Sequence, residues 1–261
     1  MNGAQALIRT LVDAGVDVCF MNPGTSEMHF VAALDDVPEM RGVLALFEGV
    51  ATGAADGYAR MADRPAATLL HLGPGLGNGL ANLHNARKAH TPVVNIVGDH
   101  ATYHKQYDAQ LESDIETVAR NVSSWIHFSS ATDKLAADAA EAVAAAVGPP
   151  GQVATLILPA DVSWSEGASP APAVAPAVAR TTDARMIAEV AAILQGDEPA
   201  ALFVGGRACR ADALVDASRI ANTTGAKLLA ETFPTRLERG AGRVPVDRLA
   251  YLAEFAAMQL D

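Results

Sequence analysis

Two titratable side chains stand where an α/β protein places its chemistry. Glu48 follows the short apolar run Val43 to Phe47 and precedes a mostly small-residue stretch, Gly49 to Ala55. A run of that length reads as a buried strand, and the small residues as a close-packed helix. Ligands bind at the carboxyl ends of strands in open parallel sheets, so Glu48 is a carboxylate placed for acid–base work. The same position equally suits an acid that complements a helix macrodipole. His71 closes a second apolar run, Ala66 to Leu70. An imidazole there can move a proton near neutral pH, although a lone histidine on an apolar strand also serves as a hydrogen-bonded core residue. Thr25, in the turn Met21 to Ser26, offers its hydroxyl to a substrate or to the turn itself. His100 and His104 have the spacing of a metal pair, but no third ligand lies nearby. They read as solvated loop histidines, and no residue is assigned to a metal.

The elements that must position these groups alternate between helix and strand. Leu7, Ile8, Leu11 and Val12 share one face of a helix over residues 4–14, which Gly15 ends. A strand over Val16 to Phe20 leads into the turn, where Pro23 fixes φ and Gly24 allows close backbone approach. Ser26 is expected to cap a helix running through Ala33. After the Glu48 helix and the Ala66 to Leu70 strand, Gly73 to Gly79 reads as a glycine-rich loop before a helix that ends near Lys88. It lacks the Lys-Ser/Thr ending and the dinucleotide fingerprint of phosphate loops. Further strands are expected at Pro92 to Val97, Trp125 to Ser129 and Val153 to Leu158. A polar loop, Gly98 to Asp114, and an alanine-rich helix, Lys134 to Val147, separate them. The alternation implies an α/β fold: a parallel sheet with helices on both faces, followed by a partial second α/β domain. The expected boundaries are a first domain over 1–165, a Pro- and Ala-rich linker over 166–182, and the partial domain over 183–261. In the last, helices are expected at Asp183 to Leu194, Ala211 to Thr223 and Val246 to Met258, with strands at Ala201 to Val204 and Lys227 to Ala230.

Composition narrows the function classes. The 261 residues carry a net charge of -11, which disfavours a nucleic-acid surface or a polybasic membrane contact. No apolar run approaches the ~18 residues of a membrane span, and the N-terminus lacks a basic secretory start. Cys19 and Cys209 lie far apart and read as buried small hydrophobes in a reducing compartment. A cytoplasmic protein is expected.

The run Phe47-Glu-Gly-Val-Ala-Thr-Gly-Ala-Ala-Asp-Gly-Tyr-Ala-Arg60 resembles the segment carrying the activating glutamate in the pyrimidine-binding domain of thiamine-diphosphate enzymes. Glu48, Ala55, Gly57, Tyr58, Ala59 and Arg60 match that spacing, and the resemblance is to acetolactate synthases and benzoylformate decarboxylases. It implies thiamine diphosphate as cofactor and Glu48 as the carboxyl sharing a proton with the cofactor's pyrimidine. It places Pro23, Gly24 and Thr25 beside that ring, and Asn78 in the family's Gly-Pro-Gly-x-x-Asn turn. His71 matches a histidine that assists proton transfer in the benzoylformate decarboxylase branch, where Thr25 stands in place of a catalytic serine. Gln106 to Glu112 matches an acetolactate synthase loop in its Asp, Ala and Glu but carries Gln110-Leu111 in place of Phe-Gln.

The family also binds magnesium and diphosphate through a Gly-Asp-Gly motif with a downstream Asn, which this sequence lacks. Magnesium would therefore come through a missing domain, leaving the chain incomplete and inactive alone. Val204-Gly205-Gly206-Arg207 resembles a region that holds FAD in acetolactate synthases, but Gly-Gly after a strand does not by itself assign FAD. The implied activity is an acetolactate synthase-like 2-oxo acid decarboxylase or carboligase. The alternatives are a benzoylformate decarboxylase-like enzyme and a non-catalytic pyrimidine-domain partner subunit. The implied partners are a 2-oxo acid substrate and further copies of the chain, as a dimer or tetramer. Small residues after Glu48 would let two such helices meet across a two-fold axis.

Overall fold

The computed structural model describes residues 1–260, which divide into two units, Met1–Ala179 and the remainder from Arg180. In the first unit, helix α1 (Gly3–Asp13) starts with a capping box. Asn2 accepts the Gln5 N–H at 2.9 Å, and the Gln5 side chain accepts the Asn2 N–H at 3.0 Å. Strand β1 (Val18–Asn22), helix α2 (Met28–Ala33), β2 (Arg41–Leu44), α3 (Glu48–Ala62), β3 (Ala66–Leu70) and α4 (Leu72–Lys88) follow. Then come β4 (Val93–Asp99), α5 (Ile115–Ala119), β5 (Trp125–Phe128), α6 (Leu135–Val147), β6 (Val153–Pro159) and α7 (Ala160–Trp164).

The six strands form one parallel sheet in the order β2-β1-β3-β4-β6-β5. Neighbouring strand residues point to opposite faces, and each face has its own core. Leu69, Ile96 and Leu156 pack with Leu7, Leu11 and Phe30 on one side. Leu70, Val97 and Ile157 pack with Ala51, Ala55, Leu76 and Leu83 on the other. From β1 the chain winds to β2 on one side and to β3 on the other. The ends of β1 and β3 therefore flank the topological switch point, where ligands bind in open α/β sheets.

Four local expectations are corrected. The strand expected at Val43 to Phe47 is Arg41–Leu44, an exposed edge strand, and Leu46 is 93% exposed. The chain leaves the sheet early so that Phe47 can take the cap position of α3. Gly73 to Gly79 is helical, because tertiary packing overrides glycine's poor propensity. A Cβ on Gly79 would stand 2.9 Å from Thr52, so the missing side chain lets α4 lie close against α3. Ser26 caps nothing: it lies inside the 3-10 turn Thr25–Glu27, and the Glu27 side chain accepts the Gly24 N–H instead. The expected final helix is shorter and later, as described below.

The segment after α7 is partly docked on the first unit. Ala168 is buried against Ala6 and Ala136, and the Ala171 N–H donates to Thr10 Oγ1 at 3.0 Å. The second unit holds α8 (Ala184–Leu194), β7 (Ala201–Val204), α9 (Ala211–Thr224), β8 (Lys227–Ala230), β9 (Asp247–Arg248) and α10 (Ala253–Leu260). Its parallel strands run β7-β8-β9 around a small core of Cys209, Leu214, Ala230 and Val246. Val246 is buried and leads into β9, which pairs with Leu229 and Ala230; that pairing displaces the helix expected from Val246.

Candidate active site

The carboxyl edge of the sheet gathers most of the residues singled out by sequence into two adjoining clusters, both built on the first turns of α4. The first centres on Glu48, the opening residue of α3 and 8% exposed. Asn78, in the second turn of α4, donates its side-chain N–H to Glu48 Oε2 at 3.0 Å. Thr52 Oγ1 donates to the Glu48 carbonyl at 3.0 Å and lies 3.1 Å from the Gly79 carbonyl. The carboxylate is thus pinned between two helices, with one oxygen held by an amide.

The second cluster centres on His71, which caps α4 and is 23% exposed at its side chain. Its Nδ1 shares a proton with Glu27 Oε2 at 2.7 Å. The same Glu27 oxygen accepts the Gly24 N–H at 2.7 Å. Glu27 is fully buried, and burial pushes its carboxyl above the ordinary range, against the pull of the Gly24 N–H and His71. Its other oxygen, Oε1, is buried against Gly98 of β4 and has no partner among the described residues. A side chain at residue 24 would collide with the His71 ring, so the Pro23-Gly24 turn works through close approach. Gly24 keeps an ordinary extended φ of -117°.

Gly75 joins the clusters. A Cβ there would lie 3.1 Å from Glu48 Oε1 and 3.5 Å from His71 Cβ. Between the clusters, Leu72 takes φ 51°, a left-handed conformation that costs a non-glycine residue about 1–2 kcal/mol. Such strain concentrates at functional positions.

Other expectations land differently. Thr25 is exposed at the start of the 3-10 turn. His100 and His104 are half-buried and meet in a tilted arrangement at 5.3 Å between ring centroids, with Tyr107 next in line. Among the described residues, no group of three or more His, Cys, Asp or Glu stands together as a metal site. The tail of the Glu48 motif is structural: Asp56 pairs with Arg60 at 2.6 Å and accepts from Thr91, while Tyr58 donates to Asp17. Glu27 is the site residue that the sequence reading passed over. The Val204 to Arg207 turn uses Gly206 at φ 52°, and its N–H already donates to Glu231 Oε1 at 2.6 Å.

The fold is an α/β domain with a parallel sheet, and its switch-point edge, where such folds bind ligands, carries a buried carboxylate and a carboxyl–imidazole pair. Residues 1–123 match the family described as thiamine pyrophosphate enzyme, N-terminal TPP binding domain, and over that stretch the chain is similar to thiamine-diphosphate enzymes. It is acetolactate synthase large subunit-like: it is 65% identical over 262 residues to "Putative acetolactate synthase large subunit IlvX" of Mycobacterium tuberculosis, covering all of this chain and 50% of the relative. It is 34% identical over 161 residues to benzoylformate decarboxylase of Pseudomonas aeruginosa, covering 61% of this chain and 29% of the relative. A solved structure described as a "putative thiamin diphosphate-dependent enzyme isolated from Mycobacterium smegmatis" superposes with a TM-score of 0.76 at 28% identity, over 90% of this chain and 45% of that one. The chain therefore spans half or less of the length of these relatives. Among the described residues, no helix is long and apolar enough to cross a membrane.

The first cluster fits the pyrimidine end of thiamine diphosphate. A nearly buried carboxylate fixed on one oxygen by Asn78 leaves the other, near Gly75, to meet a ring nitrogen.

Proposed function

We propose that this chain supplies the pyrimidine half of a thiamine-diphosphate-dependent 2-oxo acid decarboxylase or carboligase of the acetolactate synthase-like kind. Diphosphate and magnesium would be held by a domain outside these residues. The observation that carries the reading is the Glu48–Asn78 pair, which holds a carboxyl at fixed height and orientation on the switch-point edge. When bound, the cofactor supplies the electron sink. Glu48 holds a proton towards the pyrimidine, Asn78 keeps the carboxyl from rotating, and the Pro23-Gly24 backbone borders the same crevice. Thr25, exposed in the next turn, would have its hydroxyl open to a bound group.

A second reading, non-oxidative decarboxylation of the benzoylformate decarboxylase kind, is favoured by the His71–Glu27 pair. With Nδ1 bonded to the buried Glu27 carboxyl, the ring's other nitrogen, Nε2, would be the one to return a proton to a substrate carbon. Carboligation needs no such donor at that step. The non-catalytic partner subunit remains the rival from another class.

The proposed assembly is a homo-oligomer, a dimer or tetramer. Beside Glu48, Leu44, Leu46, Phe47 and Val50 are exposed together, an apolar rim of the kind that marks an interaction surface.

The test is the complete gene product, given thiamine diphosphate and magnesium and a panel of aliphatic and aromatic 2-oxo acids. Release of carbon dioxide with aldehyde supports the decarboxylase, and a condensed hydroxy-keto acid supports the carboligase. Cofactor binding without turnover of any 2-oxo acid supports the partner subunit. Sedimentation of the same preparation reads the assembly, and an active monomer would rule out a shared site.

A further inference from the structure

The polar loop between β4 and α5 is anchored at two places: Thr102 donates its N–H to Asp161 of α7 at 2.9 Å, and one ammonium ties the middle of the loop to its two ends. Asp99, the last residue of β4, is 1% exposed, and Glu112 lies at the far end of the loop. Lys105 Nζ donates to Asp99 Oδ2 at 2.6 Å and to Glu112 Oε1 at 2.8 Å. The same ammonium stands 6.0 Å from the centre of the Phe128 ring. Both ends of the loop are thereby tied to its middle. A cavity of about 370 Å³ opens here, lined by Asp108, Asp114 and Glu116 as well, with Lys105 as its one basic side chain.

The next link reaches the site. Ser113, adjacent to Glu112, rests directly on the backbone of Gly73, where a Cβ would collide with the Ser113 side chain. Gly73 is two residues beyond His71, and between them lies the strained Leu72. Helix α4 thus begins with its left-handed residue, Leu72, and the next residue, Gly73, is met by the loop that Lys105 ties. We propose that Lys105 is a positioning residue: shared between Asp99 and Glu112, it holds the 100–114 loop against the first turn of α4 and so sets the pose of His71. This rests on the reading of His71 as a site residue, but it is a statement about geometry that can fail independently.

The electrostatics give the cluster its stakes. Burial pushes the Asp99 carboxyl up, the neighbouring Glu112 adds to that, and the hydrogen bond from Lys105 opposes both. Glu112 Oε2 is buried without a partner among the described residues. Removing the ammonium alone leaves the buried Asp99 and the partly buried Glu112 facing each other without their shared cation, which costs more than replacing all three charges together.

The test uses this chain in three forms: Lys105→Met, Lys105→Arg, and the triple variant Lys105→Met/Asp99→Asn/Glu112→Gln, which buries no unpaired charge. Two readouts are taken at one pH: amide hydrogen exchange over residues 100–114, and the NMR signal of the His71 ring. Lys105→Met is expected to speed loop exchange roughly tenfold or more and to displace the His71 signal. Lys105→Arg should keep both near wild type. If Lys105→Met fails to fold, the triple variant carries the decision, and it too should show a loosened loop and a displaced His71 signal. Faster loop exchange with an unmoved His71 signal, in whichever variant folds, overturns the proposal and leaves Lys105 as a loop staple only. Turnover of His71→Ala, a separate experiment, decides whether His71 itself matters.

Discussion

Glu48 and Glu27 are buried carboxylates on one edge of one sheet, yet they are held in different ways. Glu48 opens a helix, keeps a small exposure, and is fixed by a side chain, Asn78. Glu27 is fully buried, is fixed by the backbone N–H of Gly24, and faces an imidazole. The first is a carboxyl presented to something that arrives. The second is already engaged within the protein and stores a proton beside a histidine. On the proposed reading, one edge separates a group for the cofactor from a group for the substrate, and the difference lies in partners and not in residue type.

The largest effect expected from breaking this comparison is at Glu48. Glu48→Gln keeps the size and the contact with Asn78 but cannot share a proton. In the complete gene product, turnover should fall by about 10³-fold, within the range for losing a positioned acid or base, with melting temperature nearly unchanged. Isotope exchange at the cofactor's reactive carbon should fall in parallel. A variant that exchanges at the wild-type rate would remove Glu48 from the cofactor's side of the site.

His71→Ala is expected to divide the two roles. Turnover should drop by ~10²-fold, the usual scale for losing a general acid or base, while cofactor exchange stays near wild type. Loss of both together would mean that the clusters act as one unit through Gly75. Unchanged turnover would leave His71 as a core histidine.

Glu27→Gln gives a stability signature. The folded-state pKa of Glu27 is raised, so its contribution to stability is fully present below the unfolded value, about 4.3, and is lost as pH rises through the folded value. Glutamine has no such loss. The variant should therefore gain on wild type as pH rises, by on the order of 1–3 kcal/mol, the usual cost of poorly compensated polar burial. Chemical denaturation at several pH values between 4 and 8 reads this directly. Parallel curves for the two proteins would show that Glu27 carries no unusual proton affinity.

The contrast between these acids also explains what could be read from the sequence. Glu48 sits inside a contiguous pattern of fourteen residues, Phe47 to Arg60, and its thirteen neighbours announce it. Glu27 is one of three residues in a turn, and beyond its local bond to Gly24 the groups it meets lie far along the chain: His71 at the end of β3 and Gly98 on β4. Only the sheet order β1-β3-β4 brings them together, and strand order is not written in local periodicity. The alternation of strands and helices was legible because apolar runs and turn residues are local signals. The glycines of α4 misled for the same reason: their local preference is for a loop, while their use is to let Thr52 and Ser113 come close. The edge strand β2 was placed late because Leu46 and Phe47 are apolar residues that remain exposed, contrary to the usual direction of burial.

The smallest expected effect sharpens the same comparison. Glu27 is held by a backbone N–H, which no substitution short of proline removes, whereas Glu48 is held by the Asn78 side chain, which a change to alanine removes. Asn78→Ala deletes a single hydrogen bond to a carboxylate, a contact worth about 1.5–3 kcal/mol when the acceptor is charged. Part of that is recovered, because Glu48 keeps some solvent access and the cofactor can take over its orientation. A loss of roughly tenfold in kcat/KM, or about 1.4 kcal/mol, is therefore expected, with kcat affected more than KM if Asn78 acts by fixing the reactive orientation. Asn78→Asp is the discriminating companion. It places a second carboxylate about one hydrogen bond from Glu48, and like charges at that range favour protonation of one of them. If Glu48 works as a proton-sharing acid, this variant should retain more activity at low pH than at high pH, because the pair must hold a proton to act. If its pH profile matches that of Asn78→Ala, Asn78 contributes packing alone, and the orientation of Glu48 is set by α3.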